Sequence, residues 1–191
     1  MSISTVPPPT TRPATLDDLA QVDGKAELIA GKIVHQMLTG YQPNRAAFRI
    51  ARSLDDHAEL TGHGVAFTDT MGFAIPELPS GRESFSPDAS FYLGPLPDDP
   101  MRFVEGVPTF AAEVRSKSDY GEAAEKLMAA KRADYFLAGT LVVWDVDLIS
   151  RCVQKYRADS PDQPTLFSQG EQADAEPAVP GWRLPVDRLF S

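Results

Sequence analysis

LVVWDVD, residues 141 to 147, is an almost unbroken apolar run, the composition of a strand at the centre of a sheet with both faces covered. RCVQKYR (151 to 157) alternates apolar and polar residues and reads as its hairpin partner. Upstream lie a helical pattern over about 120 to 138 and three strand-like segments, TFAAEVR (109 to 115), DASFYL (88 to 93) and GVAFTDTMGFAI (64 to 75). Pro/Gly-rich turns separate them, including GPLPDDPMRFVEGVP (94 to 108). Farther out are a long helical pattern at 43 to 60, the hairpin-like AELIAGKIVHQML (26 to 38) and TLDDLAQV (15 to 22), a short helix with Thr15 as N-cap. GWRLPVDRLF (181 to 190) closes the order. Strands, helix, strands, helix and strands predict an α/β fold: a mixed β-sheet core flanked by α-helices, with peripheral hairpins.

The 191 residues, 42% hydrophobic and 24% charged, suit one globular domain over 15 to 191 behind a disordered leader at 1 to 14. No apolar run approaches the ~20 residues of a membrane-spanning helix, and MSISTVPPPTTRP lacks the order of a signal peptide, so a cytoplasmic protein is expected. Cys152 is the single cysteine and the three histidines are scattered, which leaves no zinc-ligand spacing. Any metal would depend on carboxylates. A net charge of -9 argues against broad, non-specific nucleic-acid binding but permits a local basic groove. Part of the acidic excess lies beyond residue 158, which reads as a Pro/Gln-rich surface loop.

In PNRAAFRIARSLDDHAEL (43 to 60), Ala47, Ile50, Ala51, Leu54 and Ala58 share one helix face, and Arg45, Arg49 and Arg52 share the opposite one. The arginines form either a solvated face or a stripe that tracks phosphates.

Strand parity marks the chemistry. Asp88, Ser90 and Tyr92 point one way from DASFYL, and Glu113 and Arg115 share a face of TFAAEVR, opposite Ala112 and Val114. A carboxylate opening a strand can be a turn residue. Glu113, midway along an apolar strand, needs a partner, because an unpaired buried charge costs several kcal/mol. Arg115, a lysine or a metal ion are the candidates. On the following helix, Lys131 falls in the stripe of Ala124, Leu127, Met128, Tyr135 and Ala138. It either snorkels or reaches back to Asp88 and Glu113. Asp145 and Asp147 are expected to be turn acids.

Asp88 after Pro87, then Glu113-Val114-Arg115, with a lysine on the next helix, resembles the PD-(D/E)XK nuclease superfamily. The ordered set AELIAGKIV (26 to 34), SPDASFY (86 to 92), FAAEVRSKSD (110 to 119), KRADYFLAGTLVVWDVD (131 to 147) and GWRLPVDRLF is similar to the Uma-two family of restriction-endonuclease-like proteins. The resemblance implies a metal-dependent endonuclease acting on DNA. Asp88, Glu113 and the Val114 carbonyl would hold Mg2+ or Mn2+, Lys131 and Arg115 would act on the phosphate, and Glu27 would contribute a further acid. It also implies a homodimer for cutting two strands. Two departures stand out: Arg115 replaces the lysine of the ExK pattern and cannot lose a proton, and Ser116-Lys117-Ser118 replaces the family's Ser-Pro-Ser turn. The rival reading is a catalytically silent module, its Asp88, Glu113 and Lys131 a structural ion triad, that binds nucleic acid or a protein through the arginine face.

Overall fold

The computed structural model describes residues 12–191. The expected leader falls mostly on residues 1–11, outside the described residues; at its end, the Ala14 amide donates to the Gly31 carbonyl at 2.8 Å. Helix α1 (Leu16–Leu19) starts at Thr15 with a reciprocal cap, the Thr15 hydroxyl accepting from the Asp18 amide and the Asp18 carboxylate from the Thr15 amide. Strands β1 (Ala26–Ile29) and β2 (Lys32–His35) form the expected antiparallel hairpin. Its turn residues Ala30 and Gly31 both have positive φ, 49° and 65°, the twist a two-residue hairpin turn requires. Helix α2 runs Tyr41–Thr61 and stops at Gly62, whose left-handed φ of +68° lets its amide cap the Ala58 carbonyl.

Beyond α2 the order is β3 (Val65–Thr68), β4 (Phe73–Ala74), β5 (Ser84–Phe85), β6 (Ala89–Tyr92), β7 (Val104–Glu105), β8 (Phe110–Val114), α3 (Glu122–Ala138), β9 (Val142–Asp147), β10 (Cys152–Arg157), β11 (Ser160–Phe167), β12 (Gln172–Asp174) and β13 (Arg183–Pro185). The main sheet has six strands in the order β11-β10-β9-β8-β6-β3. Its one parallel pair is β8 with β9, the two strands that α3 connects. The mixed α/β sheet with flanking helices and peripheral hairpins is therefore what the sequence order implied. No helix of the described residues is long and apolar enough to cross a membrane.

Two segments differ from their sequence reading. Residues 64 to 75 are not one strand: the chain turns at Thr70 (φ 72°) and gives β3 to the main sheet and β4 to a small sheet with β5 and β7. The supposed loop after residue 158 begins as β11, an edge strand that accommodates Pro161 and Pro164 because one side of an edge needs no ladder hydrogen bond.

Alternation divides the two faces of the sheet. Phe91, Phe110, Ala112, Val114, Trp144 and Val146 point to α2, where Ile50 and Leu54 are completely buried. Trp144 packs edge-on against Phe110 at 5.3 Å and near Trp182 at 4.9 Å. The opposite residues, Tyr92, Ala111 and Val143, meet Tyr135 of α3 together with Phe73 and Phe85. Tyr135 is the one buried residue of α3, and Leu127, placed on its inner stripe from the sequence, is 73% exposed at the rim of a cleft. The helix therefore seals this face incompletely, and Asp88, Glu113 and Lys131 line the opening.

Candidate active site

Asp88 precedes β6, one step before the Ala89 to Ala112 pair, so the antiparallel register brings it beside Glu113 of β8. Its amide donates to the Ala112 carbonyl at 3.1 Å. Its carboxylate accepts the Val114 amide through Oδ2 at 2.7 Å and the Lys25 ammonium through Oδ1 at 2.5 Å. Lys25 precedes β1 and also contacts Asp69 Oδ1 at 2.8 Å. Burial disfavours the Lys25 ammonium, but Asp88 and Glu113 together raise its pKa above the ordinary lysine value.

Glu113 has different partners. Lys131 Nζ lies 2.8 Å from Glu113 Oε1 and 3.0 Å from Glu27 Oε1, and the Tyr135 hydroxyl donates to Glu113 Oε1 at 2.7 Å. Lys131 and Tyr135 stand one helical turn apart on α3, so both reach the same carboxylate. Tyr135 is fixed by stacking on Phe85 at 4.0 Å and 14°. Glu27 is buried, accepts the Ser86 amide at 3.0 Å and pairs with Arg82, whose Nε reaches Asp134 at 2.9 Å.

Burial and the neighbouring Asp88 push the Glu113 carboxyl above the usual carboxylate range, against the pull of Lys131. Burial acts the same way on Glu27, but there Lys131, Arg82 and the Ser86 amide override it and hold the carboxyl low. Lys131 also resists burial, its pKa raised by Glu113 and Glu27, so it remains an ammonium. Burial and Glu113 raise Tyr135 well above an ordinary phenol, which keeps its hydroxyl a donor.

The placement of the sequence candidates is uneven. Asp88, Glu113, Lys131 and Glu27 converge, but Lys131 bridges Glu113 and Glu27 instead of reaching Asp88. Val114 contributes its amide to Asp88. Arg115 shares the face of Glu113 as parity implied, yet its guanidinium grips Asp145 through Nε at 2.7 Å and Nη2 at 2.8 Å, and it also pairs with Glu125. It is thus already committed, where the resemblance had it holding a phosphate. Asp145 is a buried acid paired across from Glu113 in the parallel register, not a turn acid; Arg132 approaches it at 3.3 Å. Asp147 does cap a turn, accepting the Ile149 and Ser150 amides. Arg45, Arg49 and Arg52 ride on α2, across the sheet from the carboxylates. Arg45 lies over the Phe48 ring at 5.7 Å, Arg49 donates to the Arg188 carbonyl at 2.8 Å and Arg52 is exposed.

Sequence reasoning missed Lys25, Asp69, Arg82 and Asp134, and it treated Tyr135 only as part of an apolar stripe. Lys25 could have been found by parity, since it lies two residues before Glu27. Asp145 could have been found by the argument used for Glu113.

The ion pairs form two chains. One runs Asp69, Lys25, Asp88; the other runs Asp134, Arg82, Glu27, Lys131, Glu113. With every acid ionised, five carboxylates face three cations, so each chain carries one uncompensated negative charge. Each also ends on an acid that opens to the cleft, Asp88 at 22% and Glu113 at 23% side-chain exposure. A divalent cation between those ends would neutralise both chains, and the donors are the hard oxygens that Mg2+ and Mn2+ prefer. Among the described residues no three His, Cys, Asp or Glu converge as a metal cage. The arrangement suits an ion held by one or two carboxylates and water, as Mg2+ commonly is. The cleft has a volume of about 340 Å³, with Val34, Met37 and Leu127 among its lining residues.

The fold and most of the chain have known counterparts. A crystal structure titled as "a putative nuclease belonging to DUF820" from Anabaena variabilis matches with a TM-score of 0.72 at 18% identity, covering 93% of this chain and 98% of that one. No curated protein matches. The Uma2 family model, described as "Putative restriction endonuclease", matches residues 13–187, from just before α1 to the final turn. On that match across nearly all of its sequence, the chain belongs to the Uma2 family.

Proposed function

We propose that this chain is an endonuclease that hydrolyses phosphodiester bonds in DNA with Mg2+ or Mn2+ held by Asp88, Glu113 and the Val114 carbonyl. The observation that carries this reading is the pair of ion chains, each, with its acids ionised, one charge short of neutrality and each ending on one of the two carboxylates at the cleft. Family membership and the nuclease name of the structural counterpart point the same way. When bound, the cation supplies charge neutralisation at the phosphate and a more acidic attacking water.

The chain's own groups do the rest. Lys131 stays charged and has only donors, so it orients water or hydrogen-bonds a phosphate oxygen as negative charge builds, and it does not serve as a base. Glu27 and Glu113 hold that ammonium from two sides, and Tyr135 fixes Glu113. Arg115 acts through Asp145 and Glu125, tying the end of β8 to β9 and α3. The α2 arginines, on the other face, have no part at the scissile phosphate and are left to contacts elsewhere on a bound nucleic acid. The compartment is the cytoplasm, and two copies pair to cut both strands.

One observation favours a second reading, a metal-free module of the same fold: both oxygens of Asp88 have protein partners. Supercoiled plasmid incubated with the protein in Mg2+, in Mn2+ or in EDTA separates the two. Nicking that needs the cation and vanishes in Glu113→Gln supports the nuclease. An intact plasmid in both cations, or equal nicking in EDTA, overturns it, and an RNA substrate run alongside tests the preference for DNA.

A further inference from the structure

We propose that Lys25 is a built-in competitor for the cation, occupying the Asp88 side of the site and moving onto Asp69 alone when metal loads. The inference rests on the reading of Asp88 and Glu113 as metal ligands. Lys25 Nζ is 2.5 Å from Asp88 Oδ1, with the lysine side chain only 12% exposed. An ammonium at that distance fills the position from which a cation would approach the same oxygen. Like charges repel, and a Mg2+ ion needs its oxygens at about 2.0–2.1 Å, so Oδ1 serves one or the other.

Asp69 makes the exchange feasible. Its Oδ1 already lies 2.8 Å from the same ammonium, so Lys25 can release Asp88 without becoming an unpaired buried charge. Asp69 is 36% exposed and stands in the turn between β3 and β4, where its Oδ1 also accepts the Thr70 amide at 2.9 Å. The second berth is therefore outside the ligand pair and fixed by its own turn. Lys131, by contrast, touches Glu113 and Glu27 and leaves Asp88 alone. The two lysines have separate tasks: Lys131 faces the phosphate, and Lys25 sets how tightly the cation is held.

The test is calorimetric titration of Mn2+ into the full chain, stripped with EDTA, for wild type, Lys25→Met, Asp69→Asn, the double variant and Glu113→Gln, with melting curves confirming the fold and Lys25→Gln as a second neutral replacement. Lys25→Met is expected to bind Mn2+ about 10-fold more tightly, the scale on which groups beside metal ligands act. Asp69→Asn is expected to bind more weakly than wild type, because the ammonium loses its second berth and stays on Asp88. In the Lys25→Met background the same Asp69→Asn change should have little effect. That coupling separates competition from a general field, under which the two changes would simply add. Equal or weaker binding by both Lys25 variants, or additive effects in the cycle, overturns the competitor while leaving the carboxylate site in place. If Glu113→Gln binds Mn2+ as wild type does, or no variant binds at all, the metal reading falls and the inference falls with it.

Discussion

The two faces of the central sheet are built from alternate residues of the same strands and behave as different materials. Toward α2, Phe110, Trp144 and Val146 meet Ile50 and Leu54 in an apolar core with the Lys155–Asp174 pair at its border. Toward α3, one residue along, stand Glu113 and Asp145, answered by Lys131, Arg115 and Arg132. The first face gains stability from apolar burial. The second holds charges in place against their desolvation, and a buried ion network is a weak source of stability. A one-residue register slip would exchange the two faces, so the apolar side fixes the geometry of the charged one.

Four changes would break or sharpen that contrast. The largest effect is expected on the apolar face, where Trp144→Ala should cost about 3–5 kcal/mol, read as a lowered midpoint in chemical denaturation. A loss under about 1 kcal/mol would mean the Trp cluster is not the keystone it resembles. On the charged face, Asp145→Ala should cost about 3 kcal/mol, because it leaves the buried Arg115 with Glu125 alone and Arg132 without its acid. Its melting curve should show that loss in EDTA and Mg2+ alike, unlike a change at the cation site.

Glu113→Gln should behave in the opposite way. The folded protein raises the Glu113 carboxyl, so between the ordinary carboxylate range and that raised value the native state binds more protons than the unfolded one. Stability in EDTA therefore falls as pH rises through this window. Removing the charge should flatten the fall and leave the neutral-pH midpoint equal or higher, while metal-dependent stabilisation disappears. A sharply lower midpoint would show that Glu113 is a structural acid. The smallest effect is expected at Arg52, exposed on the outer side of α2: Arg52→Ala should stay within about 0.5 kcal/mol of wild type. Unchanged plasmid nicking in that variant would agree with its distance from the carboxylates, and a large drop would bring the arginine stripe back into the reading.

Much of this organisation could be read along the chain. Ala47, Ile50, Ala51, Leu54 and Ala58 are the buried face of α2, as their period required. Alternation marked Asp88 and Glu113 each on its own strand, and the motif order paired them as candidates; the Ala89 to Ala112 register sets them side by side. Reading failed where partners come from distant elements. Lys25 and Asp88 are 63 residues apart and meet because the β1-β2 hairpin packs beside β5. Arg115 shares a strand face with Glu113, but its acids Asp145 and Glu125 come from β9 and α3, so face parity alone does not show that its guanidinium is taken. Ser160–Phe167 read as loop because its prolines are tolerated on an edge strand, and nothing local announces an edge.

The sequence by itself determined the mixed sheet, the two long helices, the face parity of β6 and β8 and the family. These follow from periodicity and motif order, which are local. Only the tertiary structure decided that Lys131 serves Glu113 and Glu27, that Lys25 serves Asp88, and that α2 turns its arginines away from both. The reason is physical: side-chain periodicity says which face a charge occupies, but its partner is chosen by close packing and by the cost of leaving any buried charge alone, and both depend on residues far away in the chain.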